Sequence, residues 1–492
     1  MQGPVAGQRE GVTEPAVDAP QEESHHQPHP HRWRILGVSL VIGFMALLDV
    51  SIVNVAIPSM RNGLDTSAGT VQWVVSGYAL AFGMTLVAGG RLGDAFGRRR
   101  MMTIGLIGFV LSSAAVGFAP SAVLVVAARF AQGASAGILT PQNSGLIQQL
   151  FHGRERARAF GMFGFTVSVS SAVGPVLGGL IIALAGEESG WRWLFWVNVP
   201  VGLIALVAVA RLVPGRDPAS ADEVPTRIDV PGALLLGGTV LLLLYPVVST
   251  ESGARWPLLL LPLVPVLGWG FLLWERRLAS TGRTPLLDIG LLRRLPGYGN
   301  GLAIATLYFT GFTGLLLILS VYLQEGLGLT PLQAGLLMTP FAIGSAVSSP
   351  VGGRLVSDLG RRLTVGALLV MMTGVLVVAA LAPGRGSGTV WLVLVPGLLV
   401  AGLGGGAVVS PNMALSLDEV PPRMGGAAGG ALQTGQRIGA SIGAAVLMTT
   451  YQLTLGAAAS GTALRVALTT GLVLLAVALL VAVRALRQEN AS

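Results

Sequence analysis

The sequence predicts an all-α polytopic membrane protein: two six-helix bundles with two further helices inserted between them, fourteen transmembrane helices in all, and both termini cytoplasmic. Three observations lead there. Of 492 residues, 52% are hydrophobic and 11% are charged, against about 25% charged in an ordinary soluble domain. Apolar runs of about 20 residues recur along nearly the whole length, each able to cross a hydrocarbon core about 30 Å thick. Finally, "GRLGDAFGRR" (Gly90 to Arg99) returns as "GRLVSDLGRR" (Gly353 to Arg362), at an offset of 263 residues that also carries the first span onto the ninth.

Residues 1–31 are polar, rich in Pro, Gln, Glu and His, and lack the apolar core of a cleavable signal peptide. They read as a disordered cytoplasmic tail, and the prolines among His25, His26, His29 and His31 argue for flexibility over metal binding. Spans then begin near residues 35, 71, 101, 121, 160, 193, 230, 256, 299, 332, 363, 390, 428 and 464. They divide into an N-terminal six-helix bundle (32–213), two additional helices with their linkers (214–297), a C-terminal six-helix bundle (298–487) and a short tail (488–492). Breaks such as "HRWR", "GRRR", "HGRERARA", "LGRR" and "RALRQ" alternate with breaks such as "APSA", "GEESGWR" and "QEGLGLT" that carry fewer basic residues. By the positive-inside rule the first set is cytoplasmic, and an even number of spans places both termini there too.

The net charge of +8 comes from arginine alone, because the chain has no lysine. The arginines sit in clusters between apolar runs and not along an aromatic-studded face, which argues for topology over nucleic acid. A P-loop requires the lysine that reaches nucleotide phosphates, and a Schiff-base enzyme requires an amine. The chain has no cysteine either, which excludes disulfides, thiolate nucleophiles and cysteine metal sites. Outside the tail the sole histidine is His152, so no convergent nucleophile and base is available for a membrane-embedded enzyme.

Taken in order, the polar interruptions of the spans suggest roles. Span 1 carries Asp49 and Asn54 within "LLDVSIVNVAIP". After span 2, Gly90 and Gly97 permit close helix approach and a tight loop. Asp94 can accept from a helix N-terminus or pair with Arg98 or Arg99, a latch that breaks when the halves rock. The second copy offers Asp358, Arg361 and Arg362, its aspartate displaced by one position. In span 4, Arg129 and Gln132 stand three apart on one helical face. In span 5, Gly174, Gly178 and Gly179 form a flat surface for another helix, and Pro175 kinks the span. The tryptophans of "WRWLFWVNVPVG" read as an interfacial aromatic belt. Span 13, "LQTGQRIGASIG", contributes Gln433 and Arg437.

Asp49 lies nine residues before Pro58, about 13 Å from the outer end at 1.5 Å per residue, and Arg129 lies at about 12 Å. The depths match. An isolated charge there costs about 2.5 to 3.5 kcal/mol on insertion scales, and pairing or protonation of the acid relieves it. A carboxylate charged beside an arginine, and neutral when that arginine turns elsewhere, is a proton switch.

These motifs resemble the major facilitator superfamily, specifically its fourteen-span drug:proton antiporters of the EmrB/QacA type, from about Trp33 to Arg487. "GRLGDAFGRRR" is similar to the GxLxDxxGRR signature, with Ala95 where a basic residue is frequent. "RFAQGASAG" resembles the arginine motif of span 4. "SSAVGPVLGG" resembles the motif regarded as characteristic of antiporters, with Ser170 at its first small position, and "LDVSIVNVAIP" resembles LDxTIVNVALP, with Ser51 for threonine. The resemblance implies proton-coupled efflux of small amphipathic compounds by a monomer in the plasma membrane, without cofactor, metal, nucleotide or nucleic acid. Asp49 and Arg129 would couple protons, and Asn54, Gln132, Gln433 and Arg437 are candidates to line the substrate cavity, with snorkelling of a long side chain from the cytoplasmic third of span 13 the alternative for Arg437. A proton-coupled symporter of the same fold is the competing reading, against which the GPxxGG span argues. The few membrane-embedded acids, Asp49, Asp229 and Glu325, favour neutral, zwitterionic or anionic substrates over dications.

Overall fold

The structure is a computed structural model that describes residues 29–186, 188–215, 229–251, 256–281, 283 and 285–490. The tail up to residue 28, the part of the central linker from 216 to 228, and the side chain of Asn54 lie outside the described residues.

Among those residues the chain is helical throughout. The N-terminal half comprises α1 (Arg32–Gly63), α2 (Ala68–Phe96), α3 (Arg98–Phe118), α4 (Ala122–Leu150), α5 (Gly153–Ala185) and a sixth span made of α6 (Gly190–Trp196) and α7 (Asn198–Leu212). Pro200 has no N–H to offer Trp196, which accounts for the interruption of that span at Val197. Between the halves lie α8 (Val230–Glu251), a 3-10 turn (Trp256–Leu260), α9 (Leu263–Ser280) and the short α10 (Ile289–Arg294). The second half comprises α11 (Pro296–Val321), α12 (Pro331–Leu359), α13 (Arg361–Leu381), α14 (Trp391–Ser416), α15 (Gly425–Leu455) and α16 (Ser460–Glu489). Thirteen described segments are long and apolar enough to cross a membrane, and Val230–Pro246 is a shorter apolar helix.

Local chemistry sets the boundaries. α12 opens on a capping box, in which the Thr330 hydroxyl accepts from the Gln333 amide while the Gln333 side chain accepts from the Thr330 amide, with Pro331 at the first helical position. The sharp corners between α2 and α3 and between α12 and α13 fall on Gly97 (φ +92°) and Gly360 (φ +53°), a backbone region that side chains disfavour. These are the glycines of the two GRR repeats, so the sequence repeat is also a conformational one.

Both described chain ends lie on one face, called here the terminal face. Arg32 pairs with Glu155 at 2.9 Å, Arg154 pairs with Asp358, and Asn300 Nδ2 donates to Gln488 Oε1 at 3.0 Å. The halves are joined there. One apolar cluster draws from both of them, with Leu36, Phe151 and Phe160 against Tyr298, Met413 and Ala428. Along the contact of α5 with α12, a Cβ at Gly353 would sit 2.6 Å from the Gly161 Cα, and Ser168 and Ser345 meet hydroxyl to hydroxyl at 2.9 Å. Continuing that antiparallel register would bring Gly179 beside Gly335, yet a Cβ at either would have no neighbour within 4 Å. The two helices part towards the opposite face.

One expectation about the aromatic residues is corrected. Trp191 is fully buried beside Phe195 and Val71, so it is a core residue, whereas Trp193, at 56% exposure, suits an interfacial position. The reason is helical phase, since α6 turns Trp191 inward and Trp193 outward. Glu325 is exposed, in the π-helical turn at the end of the apolar segment Pro296–Gly326.

Candidate functional site

Asp49 is 1% exposed, in the middle of α1. Its Oδ2 pairs with Nη1 of Arg129. Its Oδ1 accepts from Asn198 Nδ2 at 2.8 Å and from Gln132 Nε2 at 3.0 Å. Arg129 also donates from Nη1 to Gln132 Oε1 (2.8 Å) and from Nε to the Val74 carbonyl (3.0 Å). Ser113 Oγ accepts from both Gln132 (3.2 Å) and Asn198 (3.0 Å) and donates to the Phe195 carbonyl (3.0 Å). One carboxylate thus gathers side chains from α1, α3, α4 and α7. A buried pair satisfied this fully is tolerable, whereas removing one partner leaves an uncompensated charge.

The Arg129 guanidinium lies 4.2 Å from the Tyr78 ring centroid, and Tyr78 stacks with Phe82 at 6.1 Å and 9°. On the far side the Arg437 guanidinium of α15 lies 4.8 Å from the Phe82 ring. The two aromatic rings of α2 therefore stand between a cation of each half, each in cation–π range. Among the described residues Arg437 forms no ion pair. Gln433, one turn nearer the terminal face, is buried and donates to Ser144 Oγ at 3.3 Å across the seam of α4 and α15.

At the terminal face Asp94 accepts from Arg98 and from the amides of Gly426 (3.1 Å) and Ala427 (2.7 Å), which belong to the first turn of α15. A carboxylate at a helix N-terminus meets unpaired N–H groups and the positive end of the helix dipole. Gly90 allows the approach, since a Cβ there would lie 2.1 Å from the Gly426 carbonyl oxygen. Arg99, by contrast, bonds the Ala210 carbonyl within its own half. In the second copy Asp358 does reach across, but to Arg154, through an ion pair with both side chains more than half exposed. Arg361 Nη2 donates to the Gly297 carbonyl at 2.6 Å within its own half, and Arg362 is exposed. The two copies are alike in sequence and differ in use.

Gly174 and Gly178 of the GPxxGG motif pack on α1 within a turn of Asp49, whereas Gly179, expected on the same flat surface, faces away and meets no neighbour among the described residues. A Cβ at Gly174 would lie 1.6 Å from Ser51 Oγ, and one at Gly178 would lie 2.9 Å from Ile52 Cγ1. Ser51 Oγ donates to the Ser170 carbonyl at 3.1 Å, and Pro175 stands inside the helix.

Sequence reasoning missed Asn198, Ser113 and Tyr78. Their signal was faint, because Ser113 and Tyr78 stand among other small polar residues of their spans and Asn198 is a lone amide in an apolar one. It also missed Glu275, 1% exposed near the end of α9, and its proximity to Asp229.

Two homologous helical halves around a buried, fully bonded carboxylate and arginine define a membrane transporter. Residues 39–444 match the Major Facilitator Superfamily, to which the chain belongs. It is similar to a protein described as a probable actinorhodin transporter of Streptomyces coelicolor, 36% identical over 88% of this chain and 75% of that protein. It is also similar to a puromycin resistance protein of Streptomyces alboniger, 37% identical over 84% of this chain and 80% of that one. Among solved structures, the human organic anion transporter MFSD10 superposes with a TM-score of 0.69 at 18% identity, over 92% of this chain and all of that one; it shares the fold. The chain is a multi-pass transporter of the plasma membrane and not an enzyme.

Proposed function

We propose that the protein is a proton-coupled efflux antiporter that exports small amphipathic compounds by alternating access, acts as a monomer, and keeps both termini in the cytoplasm across fourteen spans. The observation that carries this is Asp49, a titratable group deep in the bundle held by three donors from two other helices. Taking the terminal face as cytoplasmic, the halves are joined on that side and part towards the outside, the arrangement from which substrate leaves and a proton arrives. Protonation of Asp49 removes the charge that Arg129, Gln132 and Asn198 gather around. Arg129 is then free to move, and the helices that carry these groups can shift relative to α1. Proton loss to the cytoplasm restores the bonds and the substrate-accepting state.

The driving force is sufficient. One proton moving inward down about 100 mV supplies about 2.3 kcal/mol, which at 1.4 kcal/mol per factor of ten sustains a gradient of about 40- to 50-fold for a neutral substrate. Substrate would bind between the halves, where Arg437 offers a cation and, on leaving the Phe82 ring, frees that aromatic face. That lining favours planar aromatic compounds, neutral or anionic. Puromycin and actinorhodin, which the names of the relatives carry, are the first compounds to try. In inverted vesicles, adding an exported compound should release protons from the lumen, and a protonophore should abolish its accumulation. Accumulation driven by ATP in the purified protein without a proton gradient would refute the reading.

A further inference from the structure

The two inserted helices carry a second buried acidic site that the transport reading does not use. Asp229 immediately precedes α8 and Glu275 lies near the end of α9, and they are 6% and 1% exposed. Asp229 Oδ1 accepts from the Gly232 amide at 2.9 Å and from Trp274 Nε1 at 2.8 Å. Glu275 Oε2 accepts from the Leu287 amide at 3.1 Å. The remaining oxygens, Asp229 Oδ2 and Glu275 Oε1, are buried and have no donor among the described residues. They converge on one spot, since a Cβ at Gly232 would meet the first at 2.0 Å and the second at 2.7 Å.

Ionised carboxylates only accept hydrogen bonds, and two in contact cannot both stay charged away from water. What fits between them is one proton, donated by one carboxyl to the other. A calcium or magnesium ion demands six or more oxygens, but the other two oxygens are occupied by N–H donors, and no group of three metal-binding side chains occurs among the described residues. The charged groups on the packed elements do not neutralise the pair. Arg276 and Arg277 of α9 and Arg294 of α10 are exposed, Asp288 of the linker accepts from Gly290, Asp94 of α2 is held by Arg98 and α15, and Arg437 of α15 lies on Phe82. Arg91 of α2 is buried, yet neither it nor any other cation forms an ion pair with Asp229 or Glu275 among the described residues.

We propose that Asp229 and Glu275 form a proton-binding site distinct from Asp49, in which one shared proton clasps α8 to α9 and to the linker at Leu287. The clasp sits where the inserted pair covers the seam between the halves, because Phe271 and Leu286 pack there on Val87 of α2 and Ala431 of α15. Losing the proton leaves two like charges in contact and loosens the hairpin from that seam. The pair thereby makes the seating of the inserted helices depend on pH at the terminal face.

The test uses the full-length protein in lipid, in an Asp49→Asn background so that Asp49 contributes nothing. Infrared difference spectra should show a protonated-carboxyl band that disappears on alkalinisation. The band should be missing in both Asp229→Asn and Glu275→Gln, whose amides donate where the shared proton did. A single cysteine at Leu287→Cys, in this cysteine-free chain, should react with maleimide at alkaline pH several-fold faster than its own thiolate formation accounts for, and Glu275→Gln should abolish that excess. A band that persists in both variants, or a labelling rate equally pH-dependent with and without Glu275, overturns the proposal. So does a change in labelling produced by calcium or magnesium alone, which would make the pair a cation site.

Discussion

Asn198 donates its side-chain amide to the carboxylate of Asp49 at 2.8 Å, although the two residues are 149 positions apart in the chain. With Gln132 and Arg129 it completes a set of three donors around one acid. A donor to a buried charge is worth about 1.5–3 kcal/mol. Asn198→Ala should therefore lower thermal stability measurably, whereas Asn198→Ser, which retains a donor, should recover part of it.

Asp49→Asn keeps the shape and removes the titrating proton. Expression and substrate binding should persist, with proton-driven transport lost and binding no longer pH-dependent. Stability separates this from a merely structural pair. If Asp49 and Arg129 only hold helices together, each single variant should destabilise and the double variant Asp49→Asn with Arg129→Gln should regain stability. Recovery of proton-coupled transport in that double variant would show that Asp49 is not the coupling acid.

The meeting of Gly161 with Gly353 makes closure of the terminal face sensitive to one methyl group. Gly353→Val would force its side chain into the Gly161 Cα and the Ala157 carbonyl, so the halves should be held apart there and transport should stop. Cysteines at Ser168 and Ser345 should cross-link in the native background and fail to do so with Gly353→Val. Cross-linking at undiminished yield would mean that this crossing does not govern the gate.

The two repeat aspartates should differ in consequence. Asp94→Ala removes an acceptor of three hydrogen bonds, two of them from α15, and should cut the transport rate at least tenfold while raising maleimide access to a cysteine in place of Ser144, which is buried against Gly429 across the seam. Asp358→Asn breaks a solvent-exposed pair with Arg154. Such pairs are worth about 0–1 kcal/mol, so the rate should change by less than about fivefold. Equal losses in the two variants would show that exposure is the wrong guide.

Topology is checked by reporter fusions. Those after Arg100, Arg156 and Arg277 should report cytoplasm, and those after Thr66, Glu188 and Ser252 the outside. Reversed labels in the first two loops would sink the fourteen-span, cytoplasmic-termini reading.

Hydropathy, the arginine-bearing breaks and the GRLxxxxGRR repeat were enough to infer helices, halves and register, because each is a local property of the chain. Matching depth, opposite charge and their places in two recognised motifs together paired Asp49 with Arg129, the depth being readable because rise per residue is the same in every helix. Depth does not give rotation. Only the packed bundle decided that Asn198 and Ser113 face the same carboxylate, that Asp94 meets the α15 amides, and that Asp358 finds Arg154 where its own repeat offered Arg361 and Arg362. The same holds for the terminal face, where the halves join, and for Glu275, which its flanking arginines disguised as an ordinary helix-end charge. Which faces meet depends on contacts between residues far apart in sequence, set by where glycines and serines let helices cross closely, and no window along the chain contains both sides of such a crossing.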